Sequence, residues 1–178
     1  MPSKFIILDR DGTINKDTGY THKIEDLEIL PDVIEGLQKF RDVGFKFIIV
    51  TNQAGIARSI FTLDDLNKFQ AELSRQLEVH EIKIEKTYHC PHHPKFTGEC
   101  LCRKPNTGLV KLAEKELGFD ATESIVVGDK DSDIELGKNC KAITILIENG
   151  QYTNSVQPDF KANNLKHAFE LLRTSKIT

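Results

Sequence analysis

The sequence predicts an α/β fold, a doubly wound parallel sheet with helices on both faces. Short apolar runs alternate along the chain with segments whose apolar residues recur at helical spacing. The apolar runs are unbroken, as in strands buried on both faces, and alternating strands and helices favour parallel connections. A length of 178 residues suits one core and is short for two. We therefore expect a single domain over residues 1–178.

Each element has its own local signal. Apolar runs predict strands at 5–8, 45–50, 82–88, 125–127 and 142–147, and helical periodicity predicts helices at 31–44, 62–77, 107–118, 134–139 and 165–172. Thr62 and Asp65 have the spacing of a capping box at the start of the second helix. Gly44 and Gly118 end the first and third helices, as glycine commonly does.

The composition argues against several classes of function. The chain is 39% hydrophobic and 29% charged, with a formal net charge of -3. Proteins that bind nucleic acids or anionic membranes generally carry an excess of basic residues, and this sequence has no such excess. No apolar run approaches the roughly 20 residues of a membrane helix. With no signal-peptide pattern and no apolar stripe that demands a partner, the sequence predicts a cytoplasmic monomer.

Polar clusters follow the predicted strands. They occupy residues 9–13, 51–53 and 128–133, and a fourth, 103–105, opens the helix before the fourth strand. Ligands bind parallel sheets at the carboxyl ends of the strands, so these clusters are expected to meet at one edge. An Asp-x-Asp or a Gly-Asp alone is more often a turn or a helix cap, but four clusters in order favour a site.

The residue types in these clusters suit phosphate chemistry. Of Asp9 and Asp11, one carboxylate can attack phosphorus while the other handles the proton of the leaving oxygen. Mg²⁺ prefers oxygen ligands and uses few carboxylates, which Asp9 and Asp129 can supply with a backbone carbonyl near Asp11. Thr51 and Lys104 can stabilise the charge that develops on the phosphoryl oxygens.

A second cluster is rich in sulfur. Cys90, Cys100 and Cys102 share one short window with several histidines, a pattern that indicates a metal site in a cytosolic protein. Three thiolates and one imidazole complete a closed tetrahedral zinc site, which would be structural. The spacing alone leaves His89, His92 and His93 as competing ligands. Three reduced cysteines in a surface loop are the alternative.

The first set of motifs resembles the haloacid dehalogenase (HAD) superfamily. Its phosphatases carry Asp-x-Asp-Gly-Thr, then a Ser or Thr after the second strand, a Lys and a Gly-Asp. The resemblance implies a Rossmann-like, HAD-type domain with Asp9 as nucleophile and Asp11 as general acid and base. It also implies Thr51 and Lys104 as phosphoryl ligands, and a magnesium site at Asp9, Asp11 and Asp129.

Cys-x-His followed by Cys-x-Cys-Arg-Lys-Pro resembles one branch of that superfamily, the heptose-1,7-bisphosphate 7-phosphatases and the histidinol-phosphate phosphatases. The likeness implies structural zinc on Cys90, His92, Cys100 and Cys102, in a loop at about 89–103. Segments 17–20 and 51–58 look like the heptose group, and Arg103 is implied to assist catalysis. The implied substrate contacts are Asp17, Thr18, Gly19, Tyr20, Asn52, Gln53, Ala54, Arg103 and Lys130.

The heptose likeness implies a specific reaction. It is magnesium-dependent removal of the 7-phosphate through a phospho-aspartate, which in the family feeds nucleotide-activated heptose for lipopolysaccharide or another surface glycan. Arg103 and Lys130 suit a second phosphate, which histidinol phosphate lacks. Histidinol phosphate or another phosphosugar remains an alternative substrate, and an inactive zinc-binding module is a third possibility. The motif intervals leave no room for a cap domain, so loop 17–20 and the zinc loop are expected to form the pocket walls.

Overall fold

The computed structural model describes residues 4–177. Six strands form one sheet: β1 (Phe5–Leu8), β2 (Lys46–Asn52), β3 (Ile84–Cys90), β4 (Ile125–Gly128), β5 (Ile143–Ile147) and β6 (Phe160–Ala162). The helices are α1 (Val33–Asp42), α2 (Leu63–Glu78), α3 (Pro94–Thr97), α4 (Gly108–Leu117), α5 (Asp131–Asn139) and α6 (Leu165–Thr174). Short 3₁₀ turns lie at Ile24–Asp26 and Ala121–Glu123.

The sheet is parallel throughout, which confirms the predicted fold class. Its strand order is β3-β2-β1-β4-β5-β6. The chain therefore reverses its direction of winding between β1 and β4, where Leu8 lies opposite Val127. Such a switch point opens a crevice at the carboxyl ends of the two strands, and ligands bind there in open α/β sheets.

Two apolar cores cover the two faces of the sheet. On one face Ile6, Leu8 and Ile49 pack with residues of α1, α2 and α6, and on the other Ile7 and Val50 pack with residues of α4 and α5. Strand residues that alternate in this way bury both faces, which explains why the apolar runs are unbroken in the sequence.

Helix α2 begins where its capping box predicts. The Asp65 backbone N–H donates to the Thr62 hydroxyl, and the Thr62 backbone N–H donates to the Asp65 carboxylate. Helix α5, in contrast, begins three residues before the predicted position 134. The Asp133 side chain accepts from the Lys130 backbone N–H, and this capping bond extends the first turn backwards through polar residues that lack apolar periodicity.

Two short elements were not predicted. Strand β6 contains only three residues and exists through its pairing with β5, Ile145 opposite Phe160. Helix α3 is a single turn in the cysteine-rich loop, opened by His93, whose ring nitrogen accepts from the Lys95 backbone N–H. Among the described helices, none has the length and apolar content needed to cross a membrane.

Candidate active site

Asp9 follows β1 directly and lies beside Lys104. Lys104 Nζ donates to Asp9 Oδ1 at 2.7 Å and to the Val50 carbonyl at 2.7 Å, and both charged side chains are buried. Burial by itself raises the pKa of Asp9, but the charges of Lys104 and Lys130 outweigh burial and lower this pKa below its ordinary value. Asp9 is therefore held as a carboxylate, the form that a nucleophile requires.

Two more buried carboxylates face Asp9. Asp9, Asp129 and Asp133 each offer an oxygen, and the three oxygens lie within 4.8 Å of one another. Asp133 pairs with Lys104 Nζ at 2.7 Å. Asp129 Oδ1, however, is buried with no hydrogen-bond partner in the described part of the chain. Burial, followed by the charge of Asp9, raises the pKa of Asp129 to about 7. Carboxylate oxygens crowded in this way, with Asp129 Oδ1 lacking a hydrogen bond, fit a hard divalent cation such as Mg²⁺.

The Asp11 carboxylate lies outside that set. It accepts hydrogen bonds from Arg10 at 2.9 and 2.8 Å, from Asn15 at 2.9 Å and from Gln53 at 3.0 Å. Arg10 is fully buried, and its guanidinium lies 4.5 Å from the centre of the Phe69 ring. Three side chains therefore fix the orientation of Asp11. A magnesium contact through Asp11 stays a prediction.

The last residues of β2, together with Gln53 just after it, connect Asp11 to Lys104. Gln53 Nε2 donates both to Asp11 and to the Thr51 hydroxyl, the latter at 2.9 Å. Asn52 Oδ1 accepts from the Lys104 backbone N–H at 3.0 Å, and Asn52 Nδ2 donates to the Lys104 carbonyl at 3.2 Å. Asn52 and Gln53, which were predicted to contact the substrate, thus use their side-chain amides to position other site residues. Ala54 begins the following turn, in which its carbonyl accepts from a backbone N–H four residues later.

The loop at 17–20 meets Lys130 at the opening of the site. Lys130 Nζ lies 3.2 Å from Asp17 Oδ2, and the Asp17 carboxylate also accepts from the Gly19 backbone N–H at 2.9 Å. Thr18 shares a 3.1 Å hydroxyl contact with Thr21, which shapes the loop. The next residue, Tyr20, is 40% exposed. The Asp17–Lys130 pair therefore ties this loop to the segment that carries Asp129.

The sulfur cluster comes together in the structure. Ligand atoms of Cys90, His92, Cys100 and Cys102 lie within 4.8 Å of one another, with neighbouring contacts of 3.0 to 3.8 Å. All four cysteines of the chain are free thiols. Ligand atoms about 2.0 to 2.3 Å from a tetrahedral zinc ion are separated by roughly these distances. The side chains present therefore fit Zn²⁺.

Geometry separates the three competing histidines. His92 directs Nδ1 at the sulfur atoms, 3.2 Å from Cys102 Sγ. His93 Nδ1 instead accepts from the Lys95 backbone N–H at the start of α3. His89 lines a groove between α2 and β3. Of the three, only His92 belongs to the cluster.

The cysteine loop is joined to the catalytic edge at several points. The Gln53 backbone N–H donates to the Cys90 carbonyl at 2.7 Å, and Arg103 Nη1 donates to the His92 carbonyl at 3.2 Å. Arg103 and Lys104 line a cavity of about 590 Å³ together with loop residues that include Cys100. A metal in the cluster would therefore fix the loop that carries both cations.

The chain is similar in sequence to known phosphatases. Residues 101–168 match the HAD-hydrolase-like family. A D-glycero-beta-D-manno-heptose-1,7-bisphosphate 7-phosphatase from Haemophilus influenzae is 38% identical over 154 residues, 84% of each chain. A D-glycero-alpha-D-manno-heptose-1,7-bisphosphate 7-phosphatase from Photorhabdus laumondii is 42% identical over 140 residues, 76% of each chain. The chain belongs to the heptose-1,7-bisphosphate 7-phosphatase family of the HAD superfamily.

The fold is shared with solved structures. A D,D-heptose 1,7-bisphosphate phosphatase from B. bronchiseptica, solved with magnesium and phosphate, superposes with a TM-score of 0.84 at 24% identity and covers 97% of this chain and 99% of its own. This likeness concerns the fold. The predicted resemblance to HAD phosphatases is confirmed.

Besides Arg10 and Asn15, which hold Asp11, three residues of this HAD phosphatase site were missing from the predicted set. Asp133 lies within the 128–133 cluster, but its pairing with Lys104 depends on the helix start at α5. Asn149 follows β5 and donates to Asp129 Oδ2 at 3.0 Å and to the Gly12 carbonyl at 2.9 Å. Tyr152 donates to Asp17 Oδ2 at 2.8 Å. The rule that polar residues follow strands could have found Asn149, since it lies just beyond the strand predicted at 142–147.

Proposed function

We propose that this protein is a magnesium-dependent phosphatase that removes the 7-phosphate of D-glycero-D-manno-heptose 1,7-bisphosphate. The observation that carries the proposal is the buried Asp9–Lys104 pair facing Asp129 and Asp133 at the switch point of the sheet. Relatives named for this reaction, at 38% and 42% identity, support the choice of substrate.

In the first step the Asp9 carboxylate attacks phosphorus in line, and the bond between phosphorus and the sugar oxygen breaks. Lys104 and the Thr51 hydroxyl stabilise the charge on the transferring phosphoryl oxygens. Lys104 suits this role because it is buried, so its charge acts in a medium of low dielectric constant. The product is a phospho-aspartate on Asp9.

Asp11 acts as the acid and the base. It protonates the leaving sugar oxygen in the first step and takes a proton from the water that hydrolyses the phospho-aspartate in the second. The hydrogen bonds from Arg10, Asn15 and Gln53 hold its carboxylate in one orientation. Each carboxylate oxygen has two lone pairs, so capacity for a substrate contact remains.

Asp9 and Asp129 would hold Mg²⁺, with Asp133 beside them and the Asp11 backbone carbonyl as a further oxygen. The buried Asp129 Oδ1, which has no hydrogen-bond partner in the described part of the chain, and the raised pKa of Asp129 support a cation in this set. When bound, the ion supplies charge that offsets repulsion between an anionic nucleophile and an anionic phosphate. We further propose that Cys90, His92, Cys100 and Cys102 hold a structural zinc ion.

The walls of the site favour a substrate with two phosphates. Lys130 and Arg103 add cations beyond Lys104, and Arg103 uses one of its donors on the His92 carbonyl. Histidinol phosphate, which has one phosphate, offers these two cations no second phosphate to bind. We place the protein, as a cytoplasmic monomer, in the synthesis of nucleotide-activated heptose for lipopolysaccharide or another surface glycan.

Phosphate release from both anomers of heptose 1,7-bisphosphate and from histidinol phosphate, side by side with Mg²⁺, tests the proposal. We expect kcat/KM for one heptose anomer to exceed the values for the other two substrates by about a hundredfold, which corresponds to about 3 kcal/mol in transition-state binding. A lead for histidinol phosphate would contradict the substrate while leaving the catalytic assignment intact. Omission of Mg²⁺ with added chelator should abolish release.

A further inference from the structure

Arg58 lies between two aromatic rings that belong to different walls of the site. Its guanidinium carbon is 5.5 Å from the centre of the Tyr20 ring and 5.0 Å from the centre of the Phe96 ring. Tyr20 belongs to loop 17–20, whereas Phe96 belongs to α3 in the zinc loop. The Arg58 side chain thus spans the gap between these two walls from the loop that follows β2.

The hydrogen-bonding capacity of Arg58 is unused. An arginine carries five N–H donors in a planar fork that matches the oxygens of a phosphate. Across residues 4–177 the other arginines donate to carboxylates or carbonyls, whereas the Arg58 side chain makes no hydrogen bond or ion pair. The cation–π contacts with the two rings use none of the N–H donors in hydrogen bonds, so these donors remain available to a ligand.

Arg58 is connected through contacts in the zinc loop to further cationic residues, which lead towards Asp9. Phe96, which contacts Arg58, also lies 5.2 Å from the His93 ring, and the preceding carbonyl, that of His92, accepts from Arg103. Arg103 in turn adjoins Lys104, the partner of Asp9. Lys104, Arg103 and the exposed Arg58 therefore form a series of cationic side chains that leads outwards from the nucleophile.

We propose that Arg58, positioned by Tyr20 and Phe96, binds the phosphate that the enzyme leaves in place. The inference rests on the proposed function, since a sugar bisphosphate has a phosphate at each end. With the scissile group at Asp9, the other phosphate lies towards the outer walls of the site. Because the two rings already hold the guanidinium in place, a bidentate contact with the phosphate loses little side-chain conformational entropy. This contact would favour binding of bisphosphates over monophosphates.

Steady-state kinetics of Arg58→Met and Arg58→Lys test the inference with two substrates, heptose 1,7-bisphosphate and heptose 7-phosphate, which share the scissile phosphate. We expect Arg58→Met to lower kcat/KM for the bisphosphate at least about tenfold, as loss of a charge-assisted contact implies. The value for the monophosphate should stay within about twofold, because its reacting group is unchanged. Arg58→Lys, which keeps the charge without the fork, should fall in between. Arg75→Met, at an exposed arginine that pairs with Glu72 on α2, is the matched control.

Equal losses on both substrates would assign Arg58 a structural role and overturn the inference, as would no loss on either. Zinc content and melting temperature of each variant accompany the kinetics, so collapse of the loop is recognised as the structural result. A parent protein that hydrolyses mono- and bisphosphate equally well would overturn the role of Arg58 while leaving a phosphatase. A parent that hydrolyses neither would overturn the proposed function and the inference with it.

Discussion

Asn52 holds the Lys104 backbone through two hydrogen bonds. The Lys104 backbone N–H donates to Asn52 Oδ1, and Asn52 Nδ2 donates to the Lys104 carbonyl. Lys104 Nζ reaches Asp9, Asp133 and the Val50 carbonyl from that anchored backbone. A small displacement of a buried ammonium weakens its contact with the transition state far more than it weakens the initial binding of substrate. Asn52 is therefore a positioning residue.

Substitution Asn52→Ala should lower kcat by about tenfold to a hundredfold while KM changes less than about threefold, because the loss falls on the transition state. Steady-state kinetics with Asn67→Ala, an exposed asparagine on α2, as control would measure this. A rise in KM with kcat preserved would indicate that Asn52 contacts the substrate directly, as the family resemblance implies.

We expect the proposed zinc loop, at about residues 89–103, to link stability to substrate binding. It has little apolar content, yet it carries α3 and Phe96 and ends in Arg103 and Lys104. The four proposed metal ligands, rather than buried apolar side chains, are therefore expected to stabilise this loop. Cys90 is tied to the sheet as the last residue of β3, so the cluster joins the loop to a rigid base.

Replacement of one ligand should affect both properties. Cys102→Ser is expected to lower the melting temperature and to raise KM about tenfold or more, because Arg103 follows the altered ligand directly. Cys140→Ser, a half-buried thiol outside the cluster, is the control. A zinc-free Cys102→Ser variant with the parent's kinetics and melting temperature would refute this link.

At the scale of the whole molecule, sheet topology assembles the site. Because β1 lies beside β4, Asp9 and Asp129 meet although they are far apart in the sequence. The sequence predicted this edge because unbroken apolar runs mark buried strands, and polar residues follow them. It did not predict β6 or Tyr152, since their positions depend on tertiary pairing and on a loop without a local pattern. Asn149 was overlooked although it follows β5 and could have been found by the same rule.

Burial and charge were also beyond sequence reasoning. Arg10 is fully buried within the Asp-Arg-Asp run and holds Asp11 from inside the protein. Nothing in the spacing distinguishes such a side chain from a solvated arginine, because its burial is set by the packing of α2 against it. The same holds for Asn52 and Gln53, whose positions at the strand end are evident but whose bonding partners are not.

Asp9 as the nucleophile is the centre of the proposed mechanism. Acid-quenched single-turnover reactions with Mg²⁺ and heptose 1,7-bisphosphate, analysed by peptide mass spectrometry, test it. We predict one phosphoryl group on the peptide that contains Asp9, and loss of both this adduct and turnover in Asp9→Asn, with zinc content and folding preserved. A phosphoryl group on another residue, or an Asp9→Asn variant that turns over like the parent, would contradict the assignment of Asp9 as nucleophile.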